Sequence, residues 1–153
     1  MADLQAKDIM TTNVITVKSD ITIGELSKIL LENKVSGVPV VDNEDKLIGI
    51  VTEADIIKDN VKVQFPFYFD PLMVSVYMVD FEKYNENIKD YLNTKVEEIM
   101  NQRVKTANLQ TPVNELADIM VNNKVNRIPI VDENKKVIGI VTRADVVKSM
   151  IKK

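Results

Sequence analysis

The chain has 153 residues, 45% of them apolar, enough to bury a core and short enough that one compact unit is the default expectation. Its formal charge of -3, with Lys and Glu interspersed, leaves no basic stripe for a phosphate backbone, so no nucleic-acid partner is expected. Cysteine, histidine and tryptophan are absent, which excludes disulfides, thiolate nucleophiles, Cys/His zinc sites and imidazole acid–base catalysis.

In chain order, the opening MADLQAKDIM lacks the basic start and apolar run of a secretory signal, which predicts a cytoplasmic protein. VITV at 14–17 is β-prone, and from Ile23 the residues Ile23, Leu26, Ile29 and Leu30 recur on one helical face. VPVV (38–41) and LIGIV (47–51) flank the polar DNEDK (42–46), which predicts a hairpin, and a second helix is expected to start at Thr52. The unit reads βαββα.

Residues 60–93 are too long for an ordinary connector, and every aromatic residue falls there: Phe65, Phe67, Tyr68, Phe69, Tyr77, Phe81, Tyr84 and Tyr91. LMVSVYMV (72–79) reads as a strand, and Asp80 as the cap of a helix with Phe81, Tyr84, Ile88 and Tyr91 on one face. Two readings stand: a subdomain packing its aromatic face on the module or a dimer partner, or a lid stacking on a bound base. The longest largely apolar stretch, 65–79, is broken by Pro66, Asp70 and Pro71; a span needs roughly 18 uninterrupted apolar residues, so none is expected. Thr94-Lys95-Val96-Glu97 then resembles a capping box.

Beyond it the chain repeats itself. VSGVPVVDNEDKLIGIVTEADIIK (35–58) aligns without a gap to VNRIPIVDENKKVIGIVTRADVVK (125–148), at a constant offset of 90. The same offset pairs DIM (8–10) with EIM (98–100), Val14 and Thr16 with Val104 and Thr106, and Glu25-Leu26 with Glu115-Leu116. The second copy keeps the order through Val113, Leu116, Ile119 and Met120, then IPIV, DENKK and VIGIV. Two copies of one structural unit are implied, with boundaries at 1–59 and 94–153 around the insert.

Thr52-Glu53-Ala54-Asp55 and Thr142-Arg143-Ala144-Asp145 each follow a strand and open a helix. One reading is a capping box, in which Thr accepts from a backbone amide and Asp reaches back. The other uses the same geometry for a ligand: amides at a helix start attract phosphate, and a carboxylate accepts from both hydroxyls of a ribose. The two roles are compatible. No DxDxDG loop, Walker loop or paired acid–base constellation appears, so no enzyme activity, catalytic residue, metal site or resident cofactor is expected.

Through DIM, VSGVPVVD and GIVTEAD, and their counterparts in the second copy, the chain resembles the cystathionine-β-synthase (CBS) domain family as a stand-alone tandem pair. The resemblance implies a mixed α/β (α+β) fold, two βαββα repeats packed about a pseudo-twofold axis, with modules pairing into homodimers. It also implies pockets that each draw on both copies. The first would combine Val35, Ser36 and Gly37 with Ile140, Thr142 and Asp145; the second, Ile50, Thr52 and Asp55 with Thr111, Val125 and Asn126. In nucleotide-binding members a basic residue at the position of Arg127 contacts phosphates, so Arg127, which replaces Gly37, and Arg143, which replaces Glu53, favour the first pocket. The alternative is that Arg143 and Glu53 are solvent-facing first-turn residues. Against the first pocket, Ile21 beside Asp20 stands where the second copy has Thr111.

The expected function is that of a regulatory sensor for AMP, ADP or ATP, signalling through its dimer or an unidentified regulated protein. Cyclic di-AMP or S-adenosylmethionine is the variant ligand, and a ligand-free interaction module the competing class. Abundant Lys, Asn and Ile with few Arg point to an AT-rich bacterial or archaeal genome.

Overall fold

The structure, a computed structural model, describes residues 3–59 and 86–152. The first copy runs α1 (Ala6–Ile9), β1 (Val17–Lys18), α2 (Ile23–Asn33), β2 (Gly37–Val41), β3 (Leu47–Thr52) and α3 (Glu53–Asp59). After α4 (Glu86–Leu92) and a 3-10 turn (Val96–Glu98), the second copy continues with α5 (Val113–Asn123), β4 (Arg127–Val131), β5 (Val137–Thr142) and α6 (Arg143–Ile151). One sheet has the order β1-β2-β3; the other is the antiparallel hairpin β4-β5. These are two βαββα repeats.

The leading strand is shorter than VITV suggests. Only Val17–Lys18 forms β1, and in the second copy the element shrinks to a parallel bridge between Ala107 and Ile130. Alanine stands there in place of Val17, with less side chain to pack on the pleat. The strand expected at 72–79 and the cap at Asp80 lie outside the described residues.

The capping box expected at Thr94 does not form. Its hydroxyl donates to the Asp90 carbonyl at 3.2 Å, and Lys95, without a side-chain cap, opens the turn. A different box closes α2, where the Glu25 amide donates to Thr22 Oγ1 at 3.1 Å and the Thr22 amide to Glu25 Oε2 at 3.3 Å. Thr-x-x-Glu before an apolar run is the ordinary signature for this cap. The far ends of α2 and α5 are closed by Lys34 and Lys124, both left-handed at φ 53°. The following amides, of Val35 and Val125, donate back to Leu30 and Met120 at 3.1 Å. Glycine is the usual residue there, and lysine hides the stop from a sequence reading.

Contacts divide the chain into two compact units along lines that differ from the repeat. One unit comprises residues 1–17, 39–50 and 101–153; the other, 18–38 and 51–100. In the first, Ala6, Leu116, Met120, Ile128, Ile130, Val141 and Val146 form the core, each side chain of Leu or Ile size contributing about 1.5–3 kcal/mol by burial. In the second, Ile23, Leu26, Leu30, Val38, Val51, Ile88 and Val96 are buried. The apolar periodicity of α2 and α5 therefore places Leu26/Leu30 and Leu116/Met120 at matching core positions.

The difference from the repeat arises at the leading turns. The Ala6 and Lys7 amides donate to the carbonyls of Thr111 and Leu109, and Val113 donates to Leu4, so α1 is built onto the second copy's helix. Reciprocally, Val96 donates to Ile21, Glu97 to Ser19 and Ile23 to Thr94, so the 3-10 turn is built onto the first copy's helix. Ala6 and Val96, 90 residues apart, are both fully buried.

Candidate functional site

At the end of β5 the chain turns directly into α6, and the first-turn amides need acceptors. The Asp145 amide donates to Thr142 Oγ1 at 3.3 Å, while the Thr142 amide and hydroxyl donate to Asp145 Oδ2 at 2.8 and 3.0 Å. The first copy repeats this geometry at the start of α3. The Asp55 amide donates to Thr52 Oγ1 at 3.3 Å, and the Thr52 amide and hydroxyl to Asp55 Oδ2 at 2.9 and 3.1 Å. The capping reading thus holds at both turns.

One oxygen of each carboxylate carries the whole cap. Both cap donors converge on Oδ2, and among the described residues no donor reaches Oδ1 of either Asp55 or Asp145. Each aspartate is half-buried. Capping therefore leaves an acceptor oxygen at each turn.

Around Asp145 the hairpin register supplies the neighbours. Arg127 is the cross-strand partner of Thr142, and Pro129 that of Ile140. The Asn126 carbonyl accepts from the Arg143 amide at 3.0 Å, fixing the helix entry against the strand entry. Arg127 is half-buried, whereas Arg143 points to solvent, as does its counterpart Glu53. Solvent exposure is what the alternative reading of those two residues expects. Asn126, Arg127, Ile140, Thr142, Arg143 and Asp145 thus meet at one end of the β4-β5 hairpin. Opposite-copy Glu53 donates its amide to the Ser36 carbonyl at 2.9 Å, the same closure in the other unit.

The remaining expected contacts fall as follows. Val35, Ser36 and Gly37 share a compact unit with Thr52 and Asp55, whereas Ile50, Thr111 and Val125 share one with Thr142 and Asp145. Thr111 is 8% exposed, and its hydroxyl accepts from the Asn108 amide at 3.1 Å, which closes the loop before α5. It also lines an open cleft of about 750 Å³ with Asn108, Glu115, Asp132, Glu133 and Asn134. That cleft contains neither Thr142 nor Asp145, and its carboxylates suit no phosphate.

The glycine of the repeated IGIVT has a packing reason in the second copy. A Cβ on Gly139 would collide with the Met10 side chain, which the N-terminal segment lays across β5. The Thr11 amide donates to the Ile140 carbonyl at 2.9 Å and the Ile140 amide to Thr11 at 3.0 Å, holding that segment in place. Sequence reading missed the hydroxyl of Tyr91, which donates to the Ile56 carbonyl of α3 at 2.7 Å. No helix among the described residues is long and apolar enough to cross a membrane.

A doubled βαββα unit with the same capped carboxylate at both strand-to-helix turns defines a tandem-repeat α+β protein. The CBS domain model matches residues 6–61 and 96–152, and the chain belongs to the CBS domain family. Protein MJ1426 of Methanocaldococcus jannaschii is 33% identical over 155 residues, covering 95% of this chain and 90% of that one. Inosine-5'-monophosphate dehydrogenase of the same archaeon is 32% identical over 146 residues, but the match covers 23% of that enzyme. Among solved structures, the CBS domain pair of protein MJ0100, in complex with 5-methylthioadenosine and S-adenosyl-L-methionine, is similar at a TM-score of 0.71 and 29% identity, covering 96% of this chain and 95% of that one. CBSX2 in complex with AMP is similar at a TM-score of 0.70 and 25% identity, covering 97% and 96%.

Proposed function

We propose that the chain is a regulatory sensor of an adenosine-containing ligand, with AMP, ADP or ATP preferred over S-adenosylmethionine or cyclic di-AMP. The observation that carries this reading is the division of labour in Asp55 and Asp145: Oδ2 closes the helix, and among the described residues no donor reaches Oδ1, which suits a ribose hydroxyl. Support comes from the MJ0100 pair, which holds two adenosine compounds, and from CBSX2, which holds AMP. Val35, Ser36 and Gly37 would complete the pocket of Asp145; Val125, Asn126 and Thr111 that of Asp55. Phosphate favours the Asp145 side, because Arg127 neighbours Thr142 on the hairpin while Glu53 stands at the other turn.

Isothermal titration of ligand-free protein with AMP, ATP, S-adenosylmethionine and cyclic di-AMP tests this; heat from none of them overturns it. Asp145→Ala is expected to weaken AMP binding by about 10- to 100-fold, the loss of a charge-assisted hydrogen-bond pair, and Asp55→Ala by less. Equal losses would remove the preference for the Asp145 side.

The output we propose is a change in a homodimer. Leu31 and its counterpart Val121 are 66% and 71% exposed, and Ile57 and its counterpart Val147 are 57% and 54% exposed. Apolar exposure at the same two positions of both copies suits a self-matching contact. Light scattering checks it: Leu31→Glu with Val121→Glu gives a monomer, and an unchanged mass sinks the dimer.

A further inference from the structure

Each exposed apolar side chain on these helices has a charge beside it. Lys28 lies three residues before Leu31 on α2, and Glu53 lies four before Ile57 on α3, spacings that set charge and apolar group on one helix face. In the second copy Asp118 precedes Val121 and Arg143 precedes Val147 by the same steps. All four charged residues are exposed. The sign is reversed at both positions: Lys28 has Asp118 as its counterpart, and Glu53 has Arg143.

These charges are not spent within the chain. Lys28 reaches Glu32 of its own helix at 4.0 Å in solvent, a pair of little strength, and among the described residues the side chains of Glu53, Asp118 and Arg143 have no ion-pair partner. Lys58 and Lys148, next to Ile57 and Val147, are also exposed but carry the same sign in both copies, so they favour neither pairing of copies. Helices α2 and α3 belong to one compact unit, α5 and α6 to the other. The apolar positions match between the two units, and the charges beside them are opposite.

We propose that the homodimer joins unlike copies: α2 and α3 of one protomer meet α5 and α6 of its partner, with Lys28 against the partner's Asp118 and Glu53 against the partner's Arg143. Leu31 and Ile57 then face the partner's Val121 and Val147, and a two-fold axis makes the same contact twice. Joining like copies would set equal charges against each other at these positions, which disfavours that arrangement. The inference rests on the homodimer proposed above and on no ligand.

Sedimentation velocity of ligand-free protein tests it with charge reversals. Lys28→Glu with Glu53→Arg gives the first copy the signs of the second; Asp118→Lys with Arg143→Glu does the converse. Each pair of changes is expected to weaken the dimer by about 10- to 100-fold, as four exposed ion pairs become like-charge contacts. All four changes together restore opposite signs and return the affinity to that of the parent, which also shows that the substitutions leave the fold intact. Raising sodium chloride loosens the parent dimer and tightens the two half-reversed ones. If the parent is a dimer and the half-reversed proteins dimerise as tightly, or if the fourfold change recovers nothing, the pairing of unlike copies is overturned and the homodimer stands. A monomeric parent overturns the homodimer and this arrangement with it.

Discussion

Lys34 and Lys124 hold left-handed backbone at φ 53° and ψ 43–44°, where a Cβ crowds the following carbonyl. Glycine relieves that crowding at some cost in chain entropy. Lys34→Gly and Lys124→Gly are each expected to stabilise the protein by about 0.5–1 kcal/mol, measured by urea denaturation. Loss of stability in both would show that the lysine side chains contribute more than the backbone strain costs. Gly139 is the opposite case: its added Cβ meets Met10 at the sulfur and at the carbons nearer the backbone, so the methionine cannot swing clear by its tip alone. Gly139→Ala is expected to cost about 1–3 kcal/mol, and Met10→Ala in the same chain to recover part of it. Additive losses would exclude the contact. The sequence shows that IGIVT is repeated, but the reason for its glycine is out of reach, because Met10 lies almost the whole chain away from Gly139.

At the scale of the element, the turns that carry the candidate site are first of all helix caps. Thr142→Ala and Thr52→Ala are each expected to cost about 0.5–2 kcal/mol, whereas Thr→Ser at either position keeps both hydroxyl hydrogen bonds and costs little. Thermal denaturation of the four variants checks this; equal losses for Ala and Ser would mean that the threonine methyl matters more than its hydroxyl. These boxes were legible, since threonine followed three residues later by an acid at a strand-to-helix junction satisfies free amides wherever it occurs. The same rule read too much into Thr94, whose hydroxyl is taken by the preceding helix. It also reveals Thr22–Glu25, which the apolar pattern starting at Ile23 had overshadowed. A cap motif identifies donors and acceptors within reach, and competing carbonyls decide whether they pair.

For the whole molecule, the repeat and the compact units part company. The second copy's core includes Ala6, whose amide and that of Lys7 donate to the loop before α5. A fragment of residues 94–153 alone is therefore expected to lack stable tertiary structure, because it leaves that core open and the Thr111 and Leu109 carbonyls without those amides. Near-ultraviolet circular dichroism and urea titration check this. A cooperative transition in the isolated fragment would show the copy to be self-sufficient.

By itself the sequence determined the two βαββα copies, the helix faces around Leu26 and Leu116, the hairpins and the paired Thr-x-x-Asp turns. Each depends on hydrophobic period or on hydrogen bonds between residues three or four apart, and such interactions travel with the local sequence wherever it is placed. Only the tertiary structure decided that each copy's leading turn completes the other copy's helix, that Met10 requires Gly139, and that the Tyr91 hydroxyl donates to the Ile56 carbonyl. Those contacts join residues distant along the chain. Their partners are chosen by which surfaces folding brings together, and no local pattern records that choice.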